Sequence, residues 1–404
     1  MRILEIIGSV DPRHGGVIEG LLRQSAERAR RGLETHIASL DGPDSPWVRD
    51  CPVKTFGLAA GTPDFRGRPW ERYGYTPRFV PWLREHVTNY DIVVVNGLWN
   101  YVSLASRIVL PASGVPYVVF PHGMLDPWFR ASNPLKHAAK QMLWFASEGP
   151  LLANARGVLF TTETEMSRAP GTFWPYRARG YVVGYGTADI EGDPEDQKAA
   201  FRRVIPALGE KPFLLFLGRI HPKKGCDILA EAFARVASGH PELDLVIAGP
   251  DPDGLRAMIE PAARMAKIAD RIHWPGMLSG AAKWGALRAC KALVLPSHQE
   301  NFGVVVAEAL AAARPVLISD QVNIWREVEA AGAKMICTDD VDGTSRMLSD
   351  FLSLPAEAIE RMEKAARACF LARFEVGIAT DAVCSVLEEV RKAWQADRAG
   401  TPAR

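Results

Sequence analysis

The stretch Ala292-Leu293-Val294-Leu295-Pro296-Ser297-His298-Gln299-Glu300-Asn301-Phe302-Gly303-Val304-Val305-Val306-Ala307-Glu308 decides how this chain is read. Its apolar start reads as a buried strand, Gly303 marks a tight turn, and the run behind it is helical. A strand that enters a helix through glycine leaves unpaired N–H groups at the positive end of the helix dipole, and such a place attracts phosphate. Glu300 and Glu308, eight residues apart, would repel the same anion. They are read instead as acceptors for hydroxyl hydrogen bonds, and sugars supply hydroxyls. The local chemistry points to a sugar diphosphate.

Working outward, short β-branched runs alternate with helical stretches from Arg2–Ile7 to Lys334–Cys337. Several are continuously apolar, as strands covered on both faces are. The alternation predicts an α/β protein with parallel sheets and helices on both sides. The pattern runs twice. Between the runs, Thr187 to Asp196 is acidic, contains Gly and Pro, and has no apolar period, so it reads as a linker. The expectation is two doubly wound Rossmann-like domains, with the cleft they face as the default ligand site. Their bounds are 1–188 and 211–376, with 189–210 as linker and 377–404 as a terminal helix. That helix spaces Ile378, Ala382, Val386, Val390 and Trp394 every four residues as one apolar stripe, and Gln395 to Arg404 reads as a frayed tail.

A chain of 404 residues has length for two or three such domains. Its formal net charge of +1 creates no global field for nucleic acid, so an anionic ligand needs a local site. The six cysteines, Cys51, Cys226, Cys290, Cys337, Cys369 and Cys384, form no Cys-x-x-Cys pair, which argues against a zinc knuckle and fits a reducing cytosol. Met1 to Val10 lacks the charged start and cleavage site of a signal peptide and reads as a first strand. The apolar region from Val93 to Phe120 is interrupted by Asn96, Asn100, Arg107, Pro111 and Pro116 and fails as a membrane span. A cytoplasmic protein is expected, with peripheral contact at the inner face of the membrane left open.

Other constellations carry chemistry. Asp11-Pro12-Arg13-His14-Gly15-Gly16-Val17 follows the first strand, and its paired glycines let backbone approach a ligand. A plain β–α turn has the same signature. In Leu217-Gly218-Arg219-Ile220-His221-Pro222-Lys223-Lys224-Gly225, two cations, Arg219 and Lys224, leave a strand end where they could converge on one diphosphate. Solvated loop cations are the plainer alternative. His122, in Phe120-Pro121-His122-Gly123-Met124, ends another strand and could donate a hydrogen bond to a sugar hydroxyl or act as a general base. Glycosidase carboxylates stand about 5–9.5 Å apart across one bond. Glu308 lies down a helix from Glu300, so the two suit different points of one extended ligand. Asp251-Pro252-Asp253 has the look of a metal motif, but it sits in a Gly- and Pro-rich turn that explains it without a metal. Phe65 to His86 mixes aromatic and basic residues, which suits a membrane interface or, more simply, a helix packed through Phe79, Val80 and Leu83.

Taken together, these residues resemble the retaining glycosyltransferases called group 1 or family 4, which have the two-domain GT-B fold. The likeness runs through Gly15-Gly16, Arg31-Gly32-Leu33-Glu34-Thr35 and Pro121-His122-Gly123. It continues through Gly218-Arg219 to Lys224-Gly225, Ile247-Ala248-Gly249, Gly276, Pro296-Ser297 to Glu308-Ala309, and Arg314-Pro315-Val316. The resemblance implies transfer of a sugar, with retained configuration and without metal or other cofactor, from a nucleoside-diphosphate sugar to a saccharide or lipid-linked saccharide. Cell-surface polysaccharide synthesis is the implied setting. It also implies roles. The first domain takes the acceptor and the second the donor, and the terminal helix crosses back to the first domain. Arg219 and Lys224 bind the diphosphate, helped by the amides of Gly303 and Val304. Glu300 holds donor-sugar hydroxyls, Glu308 the ribose, and His122 the transferring sugar. Gly15, Gly16, Gly218, Gly249, Asn301 and Phe302 complete the substrate walls. Two positions depart from the family: Asn96 stands where many relatives have histidine, and Tyr185-Gly186 replaces Asn-Gly. A sugar-nucleotide epimerase or a phosphorylase on the same scaffold, or a silent sugar-nucleotide sensor, would be alternative uses of the fold.

Overall fold

The structure, a computed structural model, describes residues 1–59, 68, 71, 73–128, 130 and 134–399. It divides into two compact units, Met1–Gly186 with Val376–Arg404, and Thr187–Glu375.

The first unit holds a seven-stranded sheet in the order β3-β2-β1-β4-β5-β6-β7. Its strands are β1 (Arg2–Ile7), β2 (Glu34–Ser39), β3 (Thr55–Gly57), β4 (Ile92–Asn96), β5 (Tyr117–Phe120), β6 (Gly157–Phe160) and β7 (Gly180–Val182). All pair in parallel. The chain winds from β1 to one side, returns, and continues from β4 to the other, so β1 and β4 flank the point where strand order reverses. Ligands in open α/β sheets bind beside such a point. Every residue of β4 and β5 is buried, because helices cover both faces. The sequence reading missed β3, a three-residue edge strand with no apolar run to mark it.

The second unit repeats the plan with a six-stranded sheet, β10-β9-β8-β11-β12-β13. These are β8 (Phe213–Leu217), β9 (Asp244–Ala248), β10 (Ile272–Gly276), β11 (Ala292–Leu295), β12 (Val316–Ser319) and β13 (Lys334–Cys337). Here β8 and β11 flank the reversal. All six strands pair in parallel.

Three sequence expectations are corrected. The stretch read as a linker contains the helix Pro194–Val204, which belongs to the second unit. Arg288 donates to Gln197 Oε1 at 2.7 Å and ties it in. The acid and proline taken for a break are the start signals of this helix. Asp193 accepts from the N–H groups of Glu195 and Asp196, and Pro194 opens the first turn. The last helix runs Val376–Ala399, so the tail does not fray at Gln395. Its buried stripe is Ala379, Val383, Leu387 and Val390, whereas Ile378 is exposed. A strict four-residue spacing drifts around a helix by about 40° per step, so real faces alternate threes and fours. This helix packs in the first unit, where Arg31 pairs with Asp381 at 2.9 Å and Arg156 with Asp397 at 2.7 Å.

Residues Phe65, Arg66, Trp70 and Arg72 of the aromatic and basic segment lie outside the described residues. In its remainder, the helix Phe79–His86 buries Phe79 and Leu83 in the core, as the packing alternative expects. Among the described residues no helix is long and apolar enough to cross a membrane. All six cysteines are free thiols.

Leu387 is completely buried. Leu387→Ala is expected to destabilise the first unit by about 2–5 kcal/mol, read as a lower unfolding midpoint in a denaturant titration.

Candidate functional site

In the second unit the site residues gather at the C-terminal ends of β8 and β11. After β8 the chain passes Gly218 and Arg219 into the short turn Pro222–Lys224, which His221 caps by accepting from Lys223 N–H at 3.0 Å. Gly225 follows with φ +68, and the helix Cys226–Val236 begins. A side chain on Gly225 would put its Cβ 2.2 Å from the Pro296 carbonyl oxygen. Glycine is required there twice over, by backbone angle and by contact. The close approach brings the turn against the loop after β11, where His298 N–H donates to Lys223 O at 2.9 Å. As a result Lys224 forms an ion pair with Glu300, both side chains mostly buried.

Arg219 leaves the same strand end and is exposed. It makes no side-chain ion pair or hydrogen bond with another described residue. Burial lowers the His221 pKa, Asp253 opposes this, and the charges of Arg219, Lys223 and Lys224 add to the lowering. Arg219 and Lys224 are therefore close enough to act on one imidazole.

Glu300 is fixed by its backbone as well. Its N–H donates to Gln321 O at 3.1 Å, and its carbonyl accepts from Asn323 N–H at 3.0 Å. Three residues on, the helix Val304–Ala311 starts at Gly303. Val306 N–H donates to Gly303 O at 2.7 Å, and the amides ahead of it have no acceptor within the helix. Glu308, in the second turn, is buried and pairs with Lys283 at 2.5 Å. The two glutamates are thus held by separate lysines. A lysine that gives one proton to a carboxylate keeps two for phosphate, and the carboxylate keeps lone pairs for hydroxyls.

Some expected wall residues have other roles. The Phe302 side chain is buried and meets Phe374 edge to face at 5.6 Å, which leaves only its backbone for a ligand. Gly249 serves packing: a Cβ there would lie 1.7 Å from the Gly218 carbonyl oxygen. Asp251 accepts from Leu255 and Arg256 N–H groups at 2.8 and 3.1 Å, so turn chemistry accounts for it. Among the described residues no cluster of metal-ligating side chains occurs. Sequence reasoning missed Lys283 and Asn323. Lys283 lies on the helix Gly280–Ala289, with no local motif to mark it. Asn323 is buried beside Glu300, and neither its amide nitrogen nor its oxygen has a partner. An unpaired buried amide costs about 1–3 kcal/mol, which makes Asn323 a site candidate.

In the first unit His122 follows β5 with a left-handed φ of +51, unusual for a non-glycine residue. The loop is clamped by Glu165, whose Oε1 accepts from Gly123 N–H at 2.7 Å. The ring stacks on Phe120 with centroids 3.9 Å apart, and Nε2 lies 2.9 Å from Asn96 Oδ1. Burial pushes its pKa down to about 3, so it is a neutral imidazole at ordinary pH. The paired glycines sit where expected, Gly15 before and Gly16 at the start of the helix Gly16–Arg30. The Gly16 carbonyl accepts from the Tyr185 hydroxyl at 2.6 Å.

The family model for glycosyl transferases group 1 matches residues 197–368, and that for the glycosyl transferase 4-like domain matches residues 15–186. The chain belongs to the group 1 glycosyltransferases. Among curated relatives, D-inositol 3-phosphate glycosyltransferase from Gordonia bronchialis is 27% identical over 76% of this chain and 69% of that protein. Its counterpart from Actinosynnema mirum is 31% identical over 42% of each. Alpha-D-kanosaminyltransferase from Streptomyces kanamyceticus is 25% identical over 50% of this chain and 51% of that one. With the latter two, the match spans about half of the relative or less. Among solved structures, sucrose-phosphate synthase from Thermosynechococcus elongatus superposes with a TM-score of 0.77 at 20% identity, over 97% of this chain and 99% of that one. HepE from Anabaena, in complex with UDP and glucose, gives 0.73 at 16% identity, over 96% and 99%. These likenesses establish the GT-B fold of this group 1 glycosyltransferase.

Gly225→Ala should destabilise the second unit by about 1–3 kcal/mol from backbone strain alone, with the Pro296 clash in addition. Gly239, where an added Cβ meets nothing within 4 Å, is the control: Gly239→Ala should shift the midpoint far less. The His122 imidazole signals should not titrate between roughly pH 5 and 9 in an NMR pH series. A histidine kept neutral only in the fold makes stability decline as pH drops below its unfolded value of about 6.5.

Proposed function

We propose that this protein is a retaining glycosyltransferase that moves a sugar from a nucleoside-diphosphate sugar to a hydroxyl of a saccharide or lipid-linked saccharide. Polysaccharide synthesis in the cytoplasm is the proposed setting. The observation that carries the reading is the Lys224–Glu300 pair beside the helix start at Gly303, with Arg219 nearby. Lys224, Arg219 and the amides of Gly303 and Val304 bind the diphosphate and take up the charge that grows on it as the glycosidic bond breaks. Preorganised donors of this kind are the largest single source of rate enhancement in many enzymes. Glu300 accepts from hydroxyls of the donor sugar, and Glu308, steadied by Lys283, from the ribose. Two cations and a helix start neutralise the leaving group without a metal ion. A donor phosphate oxygen takes the acceptor proton, so most of the catalysis lies in positioning. HepE was crystallised with UDP-glucose, which makes UDP-sugars the first donors to try. The names of the curated relatives add inositol phosphates to the acceptors worth testing.

A thermal-shift screen against UDP-, GDP-, ADP- and dTDP-sugars should show one base stabilising the protein by mass action. With that donor, Lys224→Ala and Glu300→Ala should each lower transfer by about 100-fold or more while the circular dichroism spectrum stays unchanged. Near-normal turnover in both variants refutes the assignment. Conversion of the donor to an epimer without acceptor would point to an epimerase instead.

A further inference from the structure

A chain of buried polar groups runs beneath the first-unit site and ends on His122. Arg28, on the helix Gly16–Arg30, donates from Nη1 to Glu5 Oε1 at 2.5 Å. Glu5 lies on β1, and its other oxygen, Oε2, accepts from Asn96 Nδ2 at 2.6 Å. Asn96 ends β4 and presents Oδ1 to His122 Nε2 at 2.9 Å. Arg28 and Glu5 are each 2% exposed and Asn96 4%. The order of strands makes the line possible, because β1, β4 and β5 are successive neighbours. Together with Tyr185, these four residues line one small cavity.

The chemistry of the line has a direction. A carboxylate paired with a guanidinium only accepts, so the Asn96 amide nitrogen must face Glu5. The Asn96 oxygen then faces the histidine, and it too can only accept. A neutral imidazole carries one ring proton, which must therefore sit on Nε2. Nδ1 is left with its lone pair, and no described residue bonds to it. A buried ion pair is a poor source of stability, but this one sets an orientation that an apolar pair could not.

We propose that Arg28, Glu5 and Asn96 are positioning residues that hold His122 in its Nε2-protonated tautomer, so that Nδ1 accepts a hydrogen bond from a sugar hydroxyl of the substrate. The substrate half of this statement rests on the glycosyltransferase reading, and the tautomer half stands by itself. His122 then orients a hydroxyl by accepting its proton. It is not a donor to that hydroxyl. Asn96 becomes the residue that transmits the polarity of Glu5.

The test is long-range proton–nitrogen correlation NMR on the full chain labelled with nitrogen-15, at neutral pH. The expected result is a proton on Nε2 of His122 in the wild type. In Glu5→Gln the new amide can donate to Asn96, the Asn96 amide can turn over, and the proton should move wholly or partly to Nδ1. Turnover with the best donor should fall by about 10-fold or more, the scale on which groups that orient a functional imidazole act, with the donor KM little changed. Because Glu5→Gln also strips Arg28 of its counter-charge, Asn96→Leu is the second variant. It removes the acceptor but keeps the ion pair, and a mixture of tautomers is expected. A wild-type proton on Nδ1, or an unaltered Nε2 proton in both variants, overturns the proposal. If the tautomers respond as expected but no donor and acceptor pair gives transfer, the glycosyltransferase reading fails and the network stands. Transfer with unresponsive tautomers is the reverse result.

Discussion

The site of the second unit depends on one contact, the packing of Gly225 against the Pro296 carbonyl. No other residue fits there, since the backbone is left-handed and the space is already filled. The contact seats one loop on another and so places Lys224 against Glu300. Opposite charges in a mostly buried setting need each other, because either one alone would carry a desolvation cost. The pair is nonetheless useful, since each partner keeps hydrogen-bonding capacity in reserve. Ammonium protons suit a diphosphate and carboxylate lone pairs suit hydroxyls. The N-cap of the next helix, Gly303, comes three residues later, which brings the helix start to the same strand end.

The first unit uses the same topological device in a different way. Its strand order reverses between β1 and β4, which lines up Glu5, Asn96 and His122 across neighbouring strands. Three buried polar groups and an arginine would be costly if any went unpaired. Here Arg28 Nη1, Glu5, Asn96 and His122 are joined in turn, with Arg28 Nε left without a hydrogen-bond partner, and the arrangement converts a static ion pair into a chosen tautomer. Glu165 clamps the loop that carries His122 and so sustains its left-handed backbone. Strain of this sort persists only where surrounding bonds impose it.

Much of this was legible in the chain itself. Apolar runs that give way to turns containing glycine or proline marked the strand ends, and with them Lys224, Glu300 and His122. The family resemblance put Phe302 in the substrate wall, but an aromatic ring next to a site is as readily core, and its side chain meets Phe374. The acid–proline run at Asp193 was read as a break because helix-start and loop signals use the same residues. Lys283 and Asn323 left no trace in the sequence. A lysine in a helix and an asparagine in a loop become site candidates only through neighbours distant along the chain.

The sequence by itself determined the alternation of strand and helix, the repeated doubly wound plan, and the residues at strand ends that carry charge. Those follow from local rules of periodicity, turn conformation and solvation. The tertiary structure alone decided which lysine meets which glutamate, which face of the last helix is buried, and which nitrogen of His122 keeps its lone pair. Each of these depends on contacts between residues far apart in sequence, and no local pattern encodes a partner.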